Sequence, residues 1–220
     1  MRALAALVVA LVLTGSAAAD APRYVPSAAD TVAARAALLR LTDFGLGWEG
    51  GETATEPLAS ASCPGFNPKA SDLTVTGHVN AAFRNRQLGL DLAQDVQVMA
   101  AESLVRTDFA RTIRPQLAAC LAYELRHAKG QPSIDTVTVK QLQFPGRGYT
   151  GSLTKHLRAL YRAEVTFLVG HRHVRFISDY VFLGIGNTEF TLNLIVPAAD
   201  RDQLIPFETA MAELLAKRVG

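Results

Sequence analysis

RALYRAEVTFLVGHRHVRFISDYVFLGIGNTEFTLNLIV, residues 158–196, is the stretch of sequence that predicts the fold. Apolar and polar residues alternate along most of it, as they do in strands that bury one face. The run Gly184-Ile185-Gly186-Asn187 is typical of a turn between its last two strands. The stretch therefore predicts a three-stranded antiparallel meander.

The pairing of the first two of these strands decides which charged residues meet. A two-residue loop at His171-Arg172 gives one nearly all-apolar face, which a shift of one residue would scramble. On the other face, this register sets Glu164 directly opposite Asp179, with Arg162 diagonal to Asp179. Two facing carboxylates repel unless a cation lies between them or one keeps its proton, as in acid/base dyads. We expect either such a dyad or a structural cluster of arginine and carboxylates.

The rest of the chain adds helices and further strands. Apolar residues at helical spacing predict helices over about 31–41, over 102–128 with a break at Pro115, and from about residue 200 onward. Alternating residues predict strands over about 88–100 and 134–143. The expected fold is α+β, a single antiparallel β-sheet of about five strands with helices packed on it as an α/β sandwich.

The first nineteen residues have the pattern of a secretory signal peptide. Arg2 precedes an apolar run over 3–13, and small residues at 17–19 lead to a predicted cleavage before Asp20. The run is too short to span a bilayer. Ser16 stands where a lipoprotein would carry its acylated Cys, so we expect a secreted protein of the extracellular or cell-envelope space without a lipid anchor.

This interpretation divides the chain into a signal peptide (1–19), a Pro-containing linker (20–30) and one domain (31–220). The 220 residues are 49% hydrophobic and 19% charged with a net charge of +2, which is ordinary for a globular protein. Such a small net charge does not favour bulk attraction to nucleic acid or to an anionic membrane. No second long apolar stretch occurs, so no transmembrane segment is expected after signal cleavage.

The two cysteines are Cys63 and Cys120. In an exported chain the oxidising compartment favours a disulfide between them, because no other partner exists. Two separate thiols are the alternative.

The candidate ligand site lies in and beside the meander. Between residues 147 and 175, Glu164 alone opposes the cations Arg147, Lys155, Arg158, Arg162, Arg172 and Arg175 and three histidines. An anionic lipid head group or an acidic glycan would suit such a surface, and the candidate ligand-binding residues are Arg158, Arg162, Glu164, Arg175 and Asp179. The alternative is that these charges never converge. His171 and His173 predict a hairpin tip rather than a metal site, and no cofactor fingerprint is present.

Scattered motifs resemble a known family. They are Leu41-Thr42-Asp43 with Trp48, Cys63, Ser71-Asp72-Leu73-Thr74-Val75-Thr76-Gly77 with Phe83, Cys120, Tyr180-Val181-Phe182 and Ala216-Lys217-Arg218. Over about 31–219 the chain resembles the PknH-like extracellular sensor domains of actinobacterial secreted proteins, lipoproteins and receptor kinases. The resemblance implies an antiparallel sheet flanked by helices, a cleft proposed to bind a ligand, and no known enzymatic chemistry.

The resemblance also implies a structural bridge between Cys63 and Cys120, although family members commonly have two disulfides. The expected function is therefore a secreted, non-enzymatic, sensor-like domain that binds a small envelope ligand or an envelope protein, without cofactor, metal or nucleic acid. Two alternatives stay open. One is a hydrolase that uses the Glu164/Asp179 pair, and the other is a structural or partner-binding envelope protein.

Overall fold

The computed structural model describes residues 20–58, 60–128 and 134–220, so the predicted signal peptide lies outside the described residues. Within these ranges, eight strands and four α-helices follow one another: β1 (Arg23–Tyr24), α1 (Ala28–Ala37), β2 (Trp48–Thr53), β3 (Thr74–Asn85), β4 (Leu90–Met99), α2 (Glu102–Thr112), α3 (Pro115–His127), β5 (Ile134–Leu142), β6 (Leu157–Val169), β7 (Arg172–Ile185), β8 (Thr188–Pro197) and α4 (Leu204–Val219). Short 3-10 helices cover 41–43, 152–155 and 198–203.

The strands form one sheet in the order β1-β3-β4-β8-β7-β6-β5, and β2 pairs with β3 as well. The class is mixed α+β, as predicted, but the sheet has eight strands rather than about five. β2 was missed because its sequence, WEGGET, is polar and rich in Gly. β3 was missed because alternate positions hold the polar residues His78, Asn80 and Arg84, which weaken the apolar signal.

The meander is confirmed, but its first hairpin has a different register from the predicted one. The loop is Gly170-His171, and Val169 pairs with Arg172. Gly170 has a φ of 62°, a conformation that the first loop position of a tight hairpin requires and that Gly adopts without strain. The shift is two residues, so the same side chains share a face, but Arg162 now lies opposite Asp179 and Glu164 opposite Ile177.

Helices cover both faces of the sheet. We call one the α4 face, because α1 and α4 bury the apolar side chains of the central strands there. The opposite α3 face carries α3 over β5, β6 and β7, and α2 packs through Val105 beside Val75 and Met99. The predicted break at Pro115 is confirmed, since α2 ends at Thr112 and α3 begins at Pro115.

The predicted linker 20–30 is partly built into the fold, contrary to expectation. Arg23 and Tyr24 pair in parallel with β3, and α1 already begins at Ala28, where the Ser27 side chain accepts a hydrogen bond from the Asp30 backbone. Gly77 of β3 lies directly under this helix. The N-terminal segment is therefore part of the packed domain.

Cys63 and Cys120 lie at bonding distance with their Cα atoms 5.5 Å apart, which is compatible with the predicted disulfide. Cys63 belongs to the long segment between β2 and β3, and Cys120 lies on α3. Phe66 follows Cys63 and packs against Leu117 and Leu121 of the helix. The bridge thus holds the segment over the α3 face. None of the helices in the described ranges is long and apolar enough to cross a membrane.

Candidate functional site

The five predicted ligand-binding residues all belong to β6 and β7, on the α4 face of the sheet. Their cationic members are engaged by other parts of the protein. The guanidinium of Arg158 donates to the backbone carbonyls of Phe144, Thr154 and His156 at 3.0–3.2 Å. Arg158 therefore ties the 144–156 segment to β6.

Arg162 and Asp179 form a buried ion pair. Arg162 Nε donates to Asp179 Oδ1 at 2.8 Å and Nη2 donates to Oδ2 at 2.5 Å, the two-pronged geometry that makes Arg–carboxylate pairs strong. The Asp179 side chain is fully buried and that of Arg162 nearly so. The direct cross-strand position of Arg162, rather than Glu164, makes this pair possible.

Glu208 of α4 completes this cluster and was not singled out from the sequence. It is fully buried. Burial, together with the charge of Asp179, raises the pKa of Glu208 to about 10. Neither of its oxygens makes a hydrogen bond of acceptable geometry among the described residues, so burial beside Asp179 favours the protonated form of Glu208. We call Arg162, Asp179 and Glu208 the carboxyl cluster.

The sequence does contain a signal for Glu208. It lies at helical spacing between Leu204 and Met211, on the stripe of α4 that faces the core. A carboxyl group on the apolar stripe of a helix needs a partner or a proton, and its position alone predicts that it meets a polar group of the sheet.

Glu164 and Arg175 lie apart from this cluster, near the surface. Glu164 Oε2 accepts from Arg175 Nη2 at 3.4 Å, and Arg201 Nη1 lies 4.0 Å from Oε1. Arg175 and Arg201 thus balance the charge of Glu164, and Arg162 balances the charge of Asp179. The direct Glu164/Asp179 contact expected from the sequence does not form, because Glu164 faces Ile177.

A second polar group lies on the α3 face, where the sequence predicted none. We call it the polar strip, and it comprises His78, Asn80, Asp95, Gln97, Ser178, Tyr180, Glu189 and Asn193 of the sheet and Asp108 of α2. Much of it belongs to or pairs with β3, the strand that sequence reasoning missed. The exposed Ala82 and Ala93 face each other at its margin, so small side chains leave this part of the sheet open.

Asp95 is the centre of one half of the strip. His78 Nε2 lies 2.5 Å from Asp95 Oδ2, Asn80 Nδ2 donates to the same oxygen at 2.8 Å, and Gln97 Nε2 donates to Oδ1 at 2.8 Å. The backbone N–H of Glu56 donates to the side-chain oxygen Oδ1 of Asn80 at 3.0 Å. The segment that the disulfide tethers therefore borders the strip.

Two carboxyl groups share the end of the strip under α2. Burial raises the pKa of Asp108, and burial together with the neighbouring Asp108 raises the pKa of Glu189 well above its ordinary value. One oxygen of Glu189 is buried without a hydrogen-bond donor among the described residues. This end of the strip is therefore rich in carboxyl groups, and Arg111, the α2 cation that acts on Asp108, is itself bound to Asp72.

Tyr180 supplies the remaining unsatisfied group. Its side chain is buried, and its hydroxyl lies beside Ser178 without a hydrogen bond of acceptable geometry in the described part of the chain. Burial raises the pKa of Tyr180 to about 12, so the hydroxyl keeps its proton. Ser178 Oγ already accepts from Asn193 Nδ2 at 2.9 Å.

No group of three or more His, Cys, Asp or Glu side chains is placed to hold a metal ion within 20–58, 60–128 and 134–220. His173 of the predicted hairpin tip instead lies 3.3 Å from Asp135. Comparison of the chain with models of protein families, with characterised proteins and with solved structures finds no match.

Proposed function

We propose that this chain is an exported, non-enzymatic ligand-binding domain of the bacterial cell envelope, and that its ligand binds along the polar strip. The proposal rests chiefly on the Tyr180 hydroxyl, a buried donor beside Ser178 that makes no hydrogen bond of acceptable geometry among the described residues; a ligand reaches it only where a neighbouring side chain moves aside. Nearly all buried polar groups in folded proteins are hydrogen-bonded, so an unpaired one beside an open sheet face suggests a site that a ligand completes.

The position of the strip supports the same conclusion. Its middle residues Asn80, Gln97 and Asn193 are half-buried, rather than fully buried or fully exposed. The tethered segment borders it on one side, and α2 covers one end. Amide and hydroxyl groups held on rigid strands beside a covering segment favour specific hydrogen bonding to a small ligand.

The charges of the strip favour one of the two ligand classes that the sequence suggested. Asp95, Asp108 and Glu189 contribute carboxyl groups, whereas the sheet arginine at its margin, Arg84, is paired with Asp91 at 2.5 Å. An anionic lipid head group would meet carboxylates without a free cation, which is unfavourable. A neutral or amino-bearing glycan can donate hydrogen bonds to these carboxyl groups and accept one from Tyr180.

The carboxyl cluster argues against the hydrolase alternative. Asp179 and Glu208 resemble an acid/base dyad in being neighbouring carboxyl groups of which one keeps its proton, but both are fully buried beneath α4. A general acid or base must come within hydrogen-bond reach of its substrate. The cluster is better explained as the contact that fastens α4 to the sheet.

A thermal-shift screen tests the proposal. Neutral and amino-bearing glycans of the envelope, including peptidoglycan fragments, should raise the Tm, whereas inorganic phosphate should not. A ligand at 100 times its Kd adds about 2.7 kcal/mol to the free energy of unfolding. In Tyr180→Phe the fold should persist, because the hydroxyl lacks a protein partner, but the ligand-induced shift should shrink.

Glu164→Gln, on the opposite face of the sheet, is the matched control and should keep the full shift. A shift that is unchanged in Tyr180→Phe would place the ligand elsewhere. If no glycan in the panel raises the Tm, the proposed ligand class is wrong.

A further inference from the structure

We propose that one corner of the molecule docks on a lipid surface that carries anionic head groups, with Leu46 and Leu88 inserted among the lipids. This leucine corner consists of two segments. Residues 40–48 lead into β2 and include its first residue, and residues 84–89 end β3 and connect it to β4. β2 pairs with β3 so that Trp48 lies opposite Asn85, which places the two loops side by side at one end of the sheet. The corner is separate from the polar strip, and the inference does not depend on it.

The outermost side chains of the corner are aliphatic. Leu46 is 99% exposed, Leu88 is 55% exposed, and Leu41 is exposed as well. Leu46 lies between Gly45 and Gly47. The φ of Gly47 is 87°, a backbone conformation that glycine adopts without strain and most other residues do not. A single exposed leucine is ordinary, but three in two adjacent loops form the kind of patch found at interaction surfaces.

An aromatic layer lies directly behind the leucines. The rings of Phe44 and Trp48 stack with centroids 4.5 Å apart, and Phe207 of α4 stacks on Trp48 at 5.8 Å. All three side chains are half-buried and pack against the core. Trp is enriched at the level of lipid head groups, between the apolar interior of a bilayer and water. The loops are thus presented on a rigid base, so little ordering is needed on binding.

Cations surround this layer and favour an anionic lipid over a protein surface of mixed charge. Three carboxylates of the corner are each paired with an arginine: Asp43 with Arg218 at 2.5 Å, Glu49 with Arg86 at 2.6 Å and Asp91 with Arg84 at 2.5 Å. Arg40 and Lys217 are exposed and have no carboxylate partner in the described ranges. Lys217 belongs to this corner because Arg218, the next residue, donates to the Leu38 carbonyl at 2.6 Å.

The corner therefore has aliphatic side chains at its tips, an aromatic layer behind them and exposed cations around that layer, an arrangement that the interface of a bilayer accommodates. The small net charge of the whole chain does not oppose this, because attraction to anionic head groups acts within about 8–10 Å of the surface at physiological salt.

Vesicle binding tests this proposal, with the chain's single Trp as the reporter. The protein from Asp20 onward, which contains all the described strands and helices, is mixed with phosphatidylglycerol/phosphatidylcholine vesicles or with phosphatidylcholine alone. We expect co-sedimentation with the anionic vesicles, weaker binding at high salt, a shift of Trp48 emission to shorter wavelength, and quenching by brominated lipid.

The double variant Leu46→Ser/Leu88→Ser should bind the anionic vesicles about tenfold more weakly or worse, because it removes the inserted apolar area. Val32→Ser is the matched control, since Val32 is also aliphatic and is 65% exposed, but lies on α1. Both changes are on the surface, so an unchanged Tm verifies that each variant folds.

Three results would overturn the proposal. One is a Trp48 emission that does not respond to anionic vesicles. Another is a double variant that binds as tightly as the unchanged protein. The third is a Trp48 shift that appears without lipid and grows with protein concentration, because a second copy of the chain would then occupy the corner.

Discussion

At the scale of single residues, the stability of this protein depends on how its buried charges are compensated. Glu208 and Asp179 are both fully buried, and within the described part of the chain Arg162 alone supplies a compensating cation. Ionising Glu208 as well would leave two carboxylates against one guanidinium in a region of low dielectric. The proton on Glu208 is therefore part of the folded structure, and it links the stability of the domain to pH.

The direction of this pH dependence follows from the raised pKa of Glu208, about 10 in the folded protein against an ordinary value of 4.5. Its contribution to stability is fully present below the unfolded-state pKa and is lost as pH rises through the folded-state pKa. Between about pH 5 and 9, Glu208 should make the free energy of unfolding fall with rising pH by up to about 1.4 kcal/mol per pH unit. In Glu208→Gln this part of the fall should be absent.

Urea denaturation at several pH values measures this change. Glu102→Gln, an exposed position on α2, serves as the control and should leave the pH profile as it is. A Glu208→Gln profile as steep as that of the unchanged protein would show that Glu208 does not hold the proton.

At the scale of elements, close approaches between helices and strands decide the packing. A Cβ at Gly77 of β3 would lie 2.4 Å from the carbonyl oxygen of Asp30, in α1. The helix backbone therefore rests on the strand with no room for a side chain. This contact brings the N-terminal segment onto the sheet, where the sequence predicted a linker.

Gly77→Ala should force α1 away from β3 and lower the free energy of unfolding by about 1–3 kcal/mol, the usual cost of overpacking. Gly146→Ala is the matched control, because a Cβ there meets no atom within 4 Å. Equal urea midpoints for the two variants would contradict the close approach.

At the scale of the whole molecule, one covalent bridge fastens the long segment between β2 and β3 to the rest of the domain. The disulfide closes a loop across a sequence separation of 57 residues, and chain entropy predicts a contribution of about 4 kcal/mol for such a loop. Phe66 and Leu58 add apolar contacts on the α3 face, so the segment should loosen rather than detach completely when the bridge is absent.

The double variant Cys63→Ala/Cys120→Ala should lower the free energy of unfolding by about 2–4 kcal/mol and should not respond to reductant. The unchanged protein should lose a similar amount of stability when it is reduced. Intact mass under non-reducing conditions checks that the bridge is present. A protein that is equally stable with and without reductant would contradict this role.

Much of the fold could be predicted wherever one residue pattern dominated a segment. The meander over 158–196, the break at Pro115 and the mixed α+β class all follow from spacing that is visible along the chain. β2 and β3 could not be predicted in the same way, because their partly polar sequences match strands only once the neighbouring strands are known. The part of the polar strip formed by His78, Asn80, Asp95 and Gln97 was missed for the same reason, since it lies on β3 or pairs with it.

Spacing along the chain was enough to predict the elements in which one pattern dominates, namely strands from alternation and helices from apolar stripes, and the two cysteines predicted the disulfide. Tertiary structure alone decided which charges meet. A two-residue shift in one hairpin put Arg162, rather than Glu164, opposite Asp179, and the packing of α4 brought Glu208 to the same place. The reason is physical: spacing reports on neighbours a few residues apart, whereas burial and pairing depend on surfaces brought together from distant segments.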